Sequence, residues 1–201
     1  MKYVVGVVYL AILIYVLSVF KRGKLQFWFY IVGSMGTFLF LMFYLRPVLT
    51  MPLARSVAAL SGLVGEMTGL FSAYFKYGII FVDSAYGAIT LQIDFECSGI
   101  IEILAYLSLL LYYRVYDMVE RFIYSILGIL YIIIANVIRI IVICAVIHYN
   151  GPEYYFMAHT IVGRIVFYVL SILLYFYVFT KSQILRLKLG KFSYGHKDKT
   201  D

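Results

Sequence analysis

Residues 122–147 read FIYSILGILYIIIANVIRIIVICAVI, interrupted only by Asn136 and Arg139. At about 1.5 Å per residue a helix of this length crosses the roughly 30 Å hydrocarbon core of a bilayer. The chain around it has the same character. Of its 201 residues 64% are hydrophobic and only 13% charged, with a mean hydropathy of +0.95. That composition excludes a soluble domain of this size, and any active site must be built from helices and short loops.

Working outward, Arg114, Asp117, Glu120 and Arg121 form a charged loop before this helix, and His148–Glu153 form a turn after it. Spans are expected at about residues 3–20, 25–45, 97–113, 121–147 and 159–180. Arg46 and Pro47 are expected to end the second. Residues 53–75, opened by Pro52 but carrying Arg55 and Glu66, are a further span or an interfacial helix. Residues Ala88–Asp94 alternate apolar and polar after the turn-like Asp83–Gly87, which predicts a strand in a small extracytoplasmic hairpin ahead of Cys97. The expectation is an all-α polytopic membrane protein. It has five or six transmembrane helices in one domain, 1–180, and a basic cytoplasmic tail, 181–201.

The net charge of +7 does not point to nucleic acid, because the basic residues cluster beside apolar spans. The 21–24 loop, the 114–121 loop and the tail hold three, two and six of the seventeen Lys and Arg residues. Positive charge favours the cytoplasmic side, so the C-terminus is expected inside and the N-terminus outside. Lys2 before the first span and Lys21-Arg22-Gly23-Lys24 after it reverse the charge layout of a cleaved signal, which predicts a retained helix.

With the last three spans so placed, Cys97 and His159 each begin a helix at the outer face. Arg139 lies about 12 Å below the outer end of the helix between them. Buried arginine costs roughly 2.5–3.5 kcal/mol on the insertion scale, so it needs a partner or a polar cavity. Asn136 shares its face one turn below. Small neighbours, Ser98 and Gly99, are expected to leave the sulfur accessible and to put helix-start N–H groups beside it, favouring the thiolate. Asp94 and Glu96 act in the opposite sense. Glu102 and Arg164 fall at similar depth and could pair. Taken singly, a lone thiol, a structural arginine clamp and an interfacial histidine each have a plain packing account; together on one face they point to chemistry. Cys97 and Cys144 make no disulfide framework, and three histidines do not make a metal-ligand set. Neither metal nor organic cofactor is expected.

Cys97-Ser98-Gly99-Ile100, then Asn136-Val137-Ile138-Arg139, then His159 with Gly163 four residues on, resemble the exosortase/archaeosortase family in order and spacing, over roughly residues 50–180. The chain is similar to the shorter Gram-positive members. It departs from them after the histidine, where Thr160-Ile161 stands in place of an often acidic pair. The resemblance implies a membrane cysteine protease or transpeptidase that processes C-terminal sorting signals of exported proteins. Cys97 would be the nucleophile, Arg139 the thiolate and oxyanion stabiliser, and His159 the general acid/base. Asn136, Glu102, Arg164, Ser98 and Gly99 would support them. Implied partners are an exported protein ending in a motif, a transmembrane segment and a basic tail, the lipid bilayer, and a glycosyltransferase or polymer acceptor. The strand before Cys97 could guide an extended peptide by edge pairing. The alternative is a non-catalytic scaffold of an envelope polysaccharide or glycosyltransferase system. A transporter ranks last, since the cytoplasmic halves of the spans are nearly free of polar residues.

Overall fold

The computed structural model describes residues 2–181 and Ile184; the rest of the expected basic tail, 181–201, lies outside the described residues. Helix α1 is Lys2–Arg22 and α2 is Gln26–Thr68. Strands β1 (Ser72–Tyr74), β2 (Ile79–Ser84) and β3 (Gly87–Gln92) follow. Then come helices α3 (Ile100–Tyr112) and α4 (Met118–Asn150). The last helical segment, Pro152–Lys181, is α5, in which a 3-10 turn and an α turn lead into a π turn at Ala158–Val162. Among the described residues four helices, α1, α2, α4 and α5, are long and apolar enough to cross a membrane. With α3 as a shorter apolar helix, the chain is an all-α polytopic membrane protein carrying one small sheet.

The second expected span does not stop at Arg46-Pro47. Helix α2 runs unbroken through Pro47 and Pro52 to Thr68, so residues 53–75 are no separate span or surface helix. A proline inside a helix forfeits a hydrogen bond and costs about 3 kcal/mol. Here tertiary packing offsets it. Ala54, Val57 and Ala58 are fully buried against Ile80 and Val82 of β2 and Ile143 and Ile147 of α4. Gly69, with φ +69°, ends the helix in the left-handed region, its N–H on the Gly65 carbonyl at 2.8 Å.

The expected hairpin is a three-stranded antiparallel sheet in the order β1-β2-β3, with Ser72 opposite Phe81 and Ile80 opposite Leu91. Ile80 and Val82 face the core while Phe81 and Asp83 face out, the period-two alternation of a one-sided sheet. The third strand was missed because Ser72–Tyr74 is only three residues long and carries no alternation that a sequence could display.

The basic loops gather at one end. Arg114 lies over the Phe29 ring at 5.0 Å, Tyr113 donates to the Phe179 carbonyl at 2.6 Å, and Tyr116 donates to that of Val178. These contacts tie the start of α2, the α3–α4 loop and the end of α5 together. From that end to Arg46 on α2, to Arg139 on α4 and to His159 on α5 is in each case about twenty residues. At 1.5 Å per residue this is roughly 30 Å, one hydrocarbon thickness. The three side chains therefore share a level at the opposite interface. The outer half of α2, the sheet and the last turns of α4 extend beyond it as a cap. Arg139 is far below the end of its helix, as the spacing predicts, but that end projects past the bilayer.

Candidate active site

The loop from β3 to α3 sets the sulfur. Asp94 Oδ1 accepts from the backbone N–H of Glu96 at 3.1 Å and of Cys97 at 3.2 Å, folding Asp94–Cys97 into an Asx-type turn. Ser98 Oγ donates to the Phe95 carbonyl at 3.0 Å and tightens the same turn, a local structural duty. Helix α3 begins only at Ile100, capped by Gly99, so Cys97 does not open the helix as expected. The thiol is also buried, 3% exposed, rather than accessible.

Those two differences reverse the expected electrostatics. Burial pushes the Cys97 thiol up to about 11, Arg139 pulls it down, and Asp94 and Glu96 push it further up. The resting sulfur is a thiol and not a helix-start thiolate. It lies 3.0 Å from His159 Nε2, within hydrogen-bonding distance, and donates to it in the tautomer that carries its proton on Nδ1. Alkylation of Cys97 by iodoacetamide in a Cys144→Ala chain should accordingly rise about tenfold per pH unit above neutrality, with its midpoint near 11 and not near 8.5. Rates of alkylation between pH 6 and 11.5 check this; a plateau by pH 9 would contradict it.

His159 comes to the sulfur through α5. Its π turn at Ala158–Val162 widens the helix where the ring projects. Gly163 lets α5 close on α4, because a Cβ there would stand 2.7 Å from Ile143 Cδ1. The imidazole stacks on Tyr155, centroids 5.5 Å apart at 25°. Among the described residues its one side-chain hydrogen bond is that of Nε2 with Cys97. Neither Glu102 nor Glu153 hydrogen-bonds it. The Tyr155 ring flanks it instead, on the face of the same helix that i to i+4 spacing creates.

Arg139 is 3% exposed. Its Nη1 donates to the Glu96 carbonyl at 3.2 Å, one residue before Cys97, and its guanidinium stands 5.8 Å from the centroid of Phe167. Its Nε has no partner among the described residues, nor does either amide atom of Asn136, which is fully buried one turn away. Arg164 pairs not with Glu102, as depth alone allowed, but with Glu96 at 3.3 Å, both side chains being well exposed. Glu102 instead lines a cleft of about 300 Å³ with Glu96, Arg139, Arg164 and Phe167, its Oε2 unpartnered among the described residues. Sequence reasoning missed Asp94 as the loop's anchor, Tyr155, and Phe95, over whose ring Arg46 sits at 3.8 Å. Only the Tyr155–His159 spacing and the acidic residue three before the cysteine offered a signal. Cys144 is buried and, like Cys97, in no disulfide.

Gly99 holds this arrangement together. Its φ of +77° lies in the left-handed region, and an added Cβ would run into Asn136 Nδ2 and stand 3.4 Å from Ile132 Cγ2. Gly99→Ala should cost about 1–2 kcal/mol in backbone strain and a further 1–3 in overpacking. Gly69→Ala, at φ +69° with nothing within 4 Å of its Cβ, should cost the strain alone. Thermal unfolding in detergent checks the ordering, with Gly99→Ala at least about 5 °C below parent; equal shifts would remove the Asn136 contact from the account.

The arrangement is a neutral thiol–imidazole pair beside a buried guanidinium, able to deliver a sulfur nucleophile and stabilise a nascent oxyanion. A family model described as transmembrane exosortase (Exosortase_EpsH) matches residues 2–177. Among curated proteins and among solved structures none matches the chain.

Proposed function

The chain belongs to the transmembrane exosortase family, and from that premise we propose that it is a cysteine peptidase or transpeptidase that cleaves C-terminal sorting signals of exported proteins. The observation that carries this is the 3.0 Å Cys97 Sγ–His159 Nε2 contact beside Arg139. The exosortase family is generally cysteine-peptidase-like. The site lies at the end of the molecule opposite the basic loops, which by the positive-inside rule supports an extracytoplasmic face.

In the reaction, His159 takes the thiol proton as Sγ attacks the scissile carbonyl, and the oxyanion forms within reach of Arg139. His159 returns the proton to the amine as the C–N bond breaks, which leaves a thioester on Cys97. Water, or an acceptor nucleophile such as an envelope polymer, then attacks the thioester and regenerates the thiol. Because the resting thiol is protonated, proton transfer and attack are coupled, in contrast to a preformed thiolate.

The test is co-expression with a reporter. This is a secreted domain fused to the C-terminal segment of an exported protein of the same cell that ends in a short motif, one apolar span and a basic cluster. The reporter should lose its anchor and form a hydroxylamine-sensitive adduct with the chain. A reporter that stays full-length with every such segment of that cell would refute the proposal.

A further inference from the structure

The β-sheet lies next to the sulfur, and its order leaves β3 with a strand neighbour on one side only, β2. The ladder tells which backbone groups face the other side. Ile93 donates to the Gly78 carbonyl at 2.8 Å, and Gly78 stands directly opposite Ile93 by continuation of the Ile79–Gln92 register. In an antiparallel pair, hydrogen-bonded and non-hydrogen-bonded positions alternate. Leu91 opposite Ile80 and Ile89 opposite Val82 are therefore bonded inward to β2. Ala88, Thr90 and Gln92 turn their N–H and C=O groups to the free edge. Their side chains are exposed, whereas Ile89 and Leu91 are half-buried against the core.

This edge does not end in open solvent. β3 continues through Ile93 and the Asp94 turn into Cys97. The first part of α5 comes close to this stretch. The two segments meet at both ends: a Cβ on Gly87 would stand 3.6 Å from Pro152 Cγ, and Cys97 Sγ lies 3.0 Å from His159 Nε2. The turn before β3 is fixed in place, since His148 Nδ1 lies 2.6 Å from the Asp83 carbonyl. A rigid strand edge thus borders the α5 segment that carries the base, and it leads to the nucleophile.

Resting on the peptidase function proposed above, we infer that the Ala88–Gln92 edge binds the sorting segment of the substrate as an added β-strand and feeds its scissile carbonyl to Cys97. Strand addition suits this task for a physical reason. A peptide bond is attacked when the chain is extended and its carbonyl is fixed, and a strand edge supplies both through main-chain hydrogen bonds. It also satisfies the substrate's backbone polar groups where the segment enters the interface from its apolar span, groups that are costly to leave unpaired there. The recognition is then of backbone at alternate substrate residues, with selectivity set by the side chains between them.

Proline separates the edge from the ladder. At Ala88 or Thr90 it deletes an N–H that faces the free edge and leaves the β2 pairing intact, a position where edge strands tolerate it. Ala88→Pro and Thr90→Pro should each lower cleavage of the reporter at least tenfold, while detergent unfolding temperature and the pH profile of Cys97 alkylation stay at parent values. If either variant unfolds, hydrogen exchange decides. In a Cys97→Ala chain loaded with the reporter, the amides of Ala88, Thr90 and Gln92 should exchange at least tenfold more slowly than without it. Folded proline variants that cleave at the parent rate, or edge amides indifferent to the reporter, would overturn the inference and leave the peptidase proposal standing. A reporter processed regardless of Cys97 would instead sink that proposal.

Discussion

Cys97→Ala is expected to abolish reporter processing, a loss of about 10⁴-fold or more, and adding His159→Ala should cost nothing further. The two side chains are expected to act as one unit, because the imidazole lies 3.0 Å from a sulfur that is otherwise buried. Removing the base leaves a thiol held near pKa 11, with about one molecule in 10⁴ ionised at neutral pH, so His159→Ala alone should approach the same floor. A pre-ionised thiolate would behave differently, with the imidazole loss costing only the leaving-group proton. Steady processing rates of the two single variants and the double variant, normalised to inserted protein, distinguish these cases. Multiplicative losses would mean that sulfur and imidazole work in separate steps. Undiminished processing by inserted Cys97→Ala would remove covalent catalysis at this residue altogether.

The membrane class was legible because hydropathy acts over whole spans, and the grouping of Cys97, Arg139 and His159 because span order and the positive-inside rule place all three at one end. What the sequence concealed is more local. Pro47 and Pro52 are helix breakers by intrinsic preference, yet α2 continues through both, since Ala54, Val57 and Ala58 bury completely against the sheet and α4. That burial depends on partners more than twenty residues away in the chain. Cys97 was expected at a helix start from its small neighbours; Asp94 instead folds the chain back and delays the helix to Ile100. The delay of a few residues turns a thiol assisted by helix N–H groups into one dominated by burial. Depth arithmetic brought Glu102 and Arg164 to one level without fixing their rotation about their helices, and Glu96, in the loop, took the arginine. Rotation and rotamer are set by packing, which a single sequence does not encode position by position.

The cap gives the Cys97 thiol a packed protein layer at the membrane surface. Helices α2, α4 and α5 are about 65, 50 and 45 Å long, so each overruns the roughly 30 Å hydrocarbon layer. The overrun gives Ile80, Val82 and Ile93 of the sheet region a surface to pack on, in one cluster with Cys97, Cys144 and Ala158. Cys97 is thus seated between the buried Arg139 at the interface level and a packed extramembrane layer. That arrangement excludes water from the sulfur while keeping the polar Glu96–Arg164 pair at the mouth.

Under the proposed reaction Arg139 is the oxyanion stabiliser, and its replacement should separate charge from geometry. Loss of one oxyanion donor typically costs about 10²–10³ in kcat. Arg139→Met, similar in length and apolar, should fall in that range with the chain still inserted. Arg139→Lys retains the cation but not the planar fork that reaches the Glu96 carbonyl through Nη1 while leaving Nε available, so it should recover only part of the loss. A second readout is independent of turnover. The Arg139 cation lowers the Cys97 pKa, so its removal should move the alkylation midpoint above 11, and lysine should bring it back toward the parent. A purely structural arginine would shift unfolding temperature without this order in kcat and midpoint. Parent-like kcat in Arg139→Met would assign oxyanion stabilisation elsewhere, with the fully buried Asn136 amide the nearest unpartnered donor along the helix.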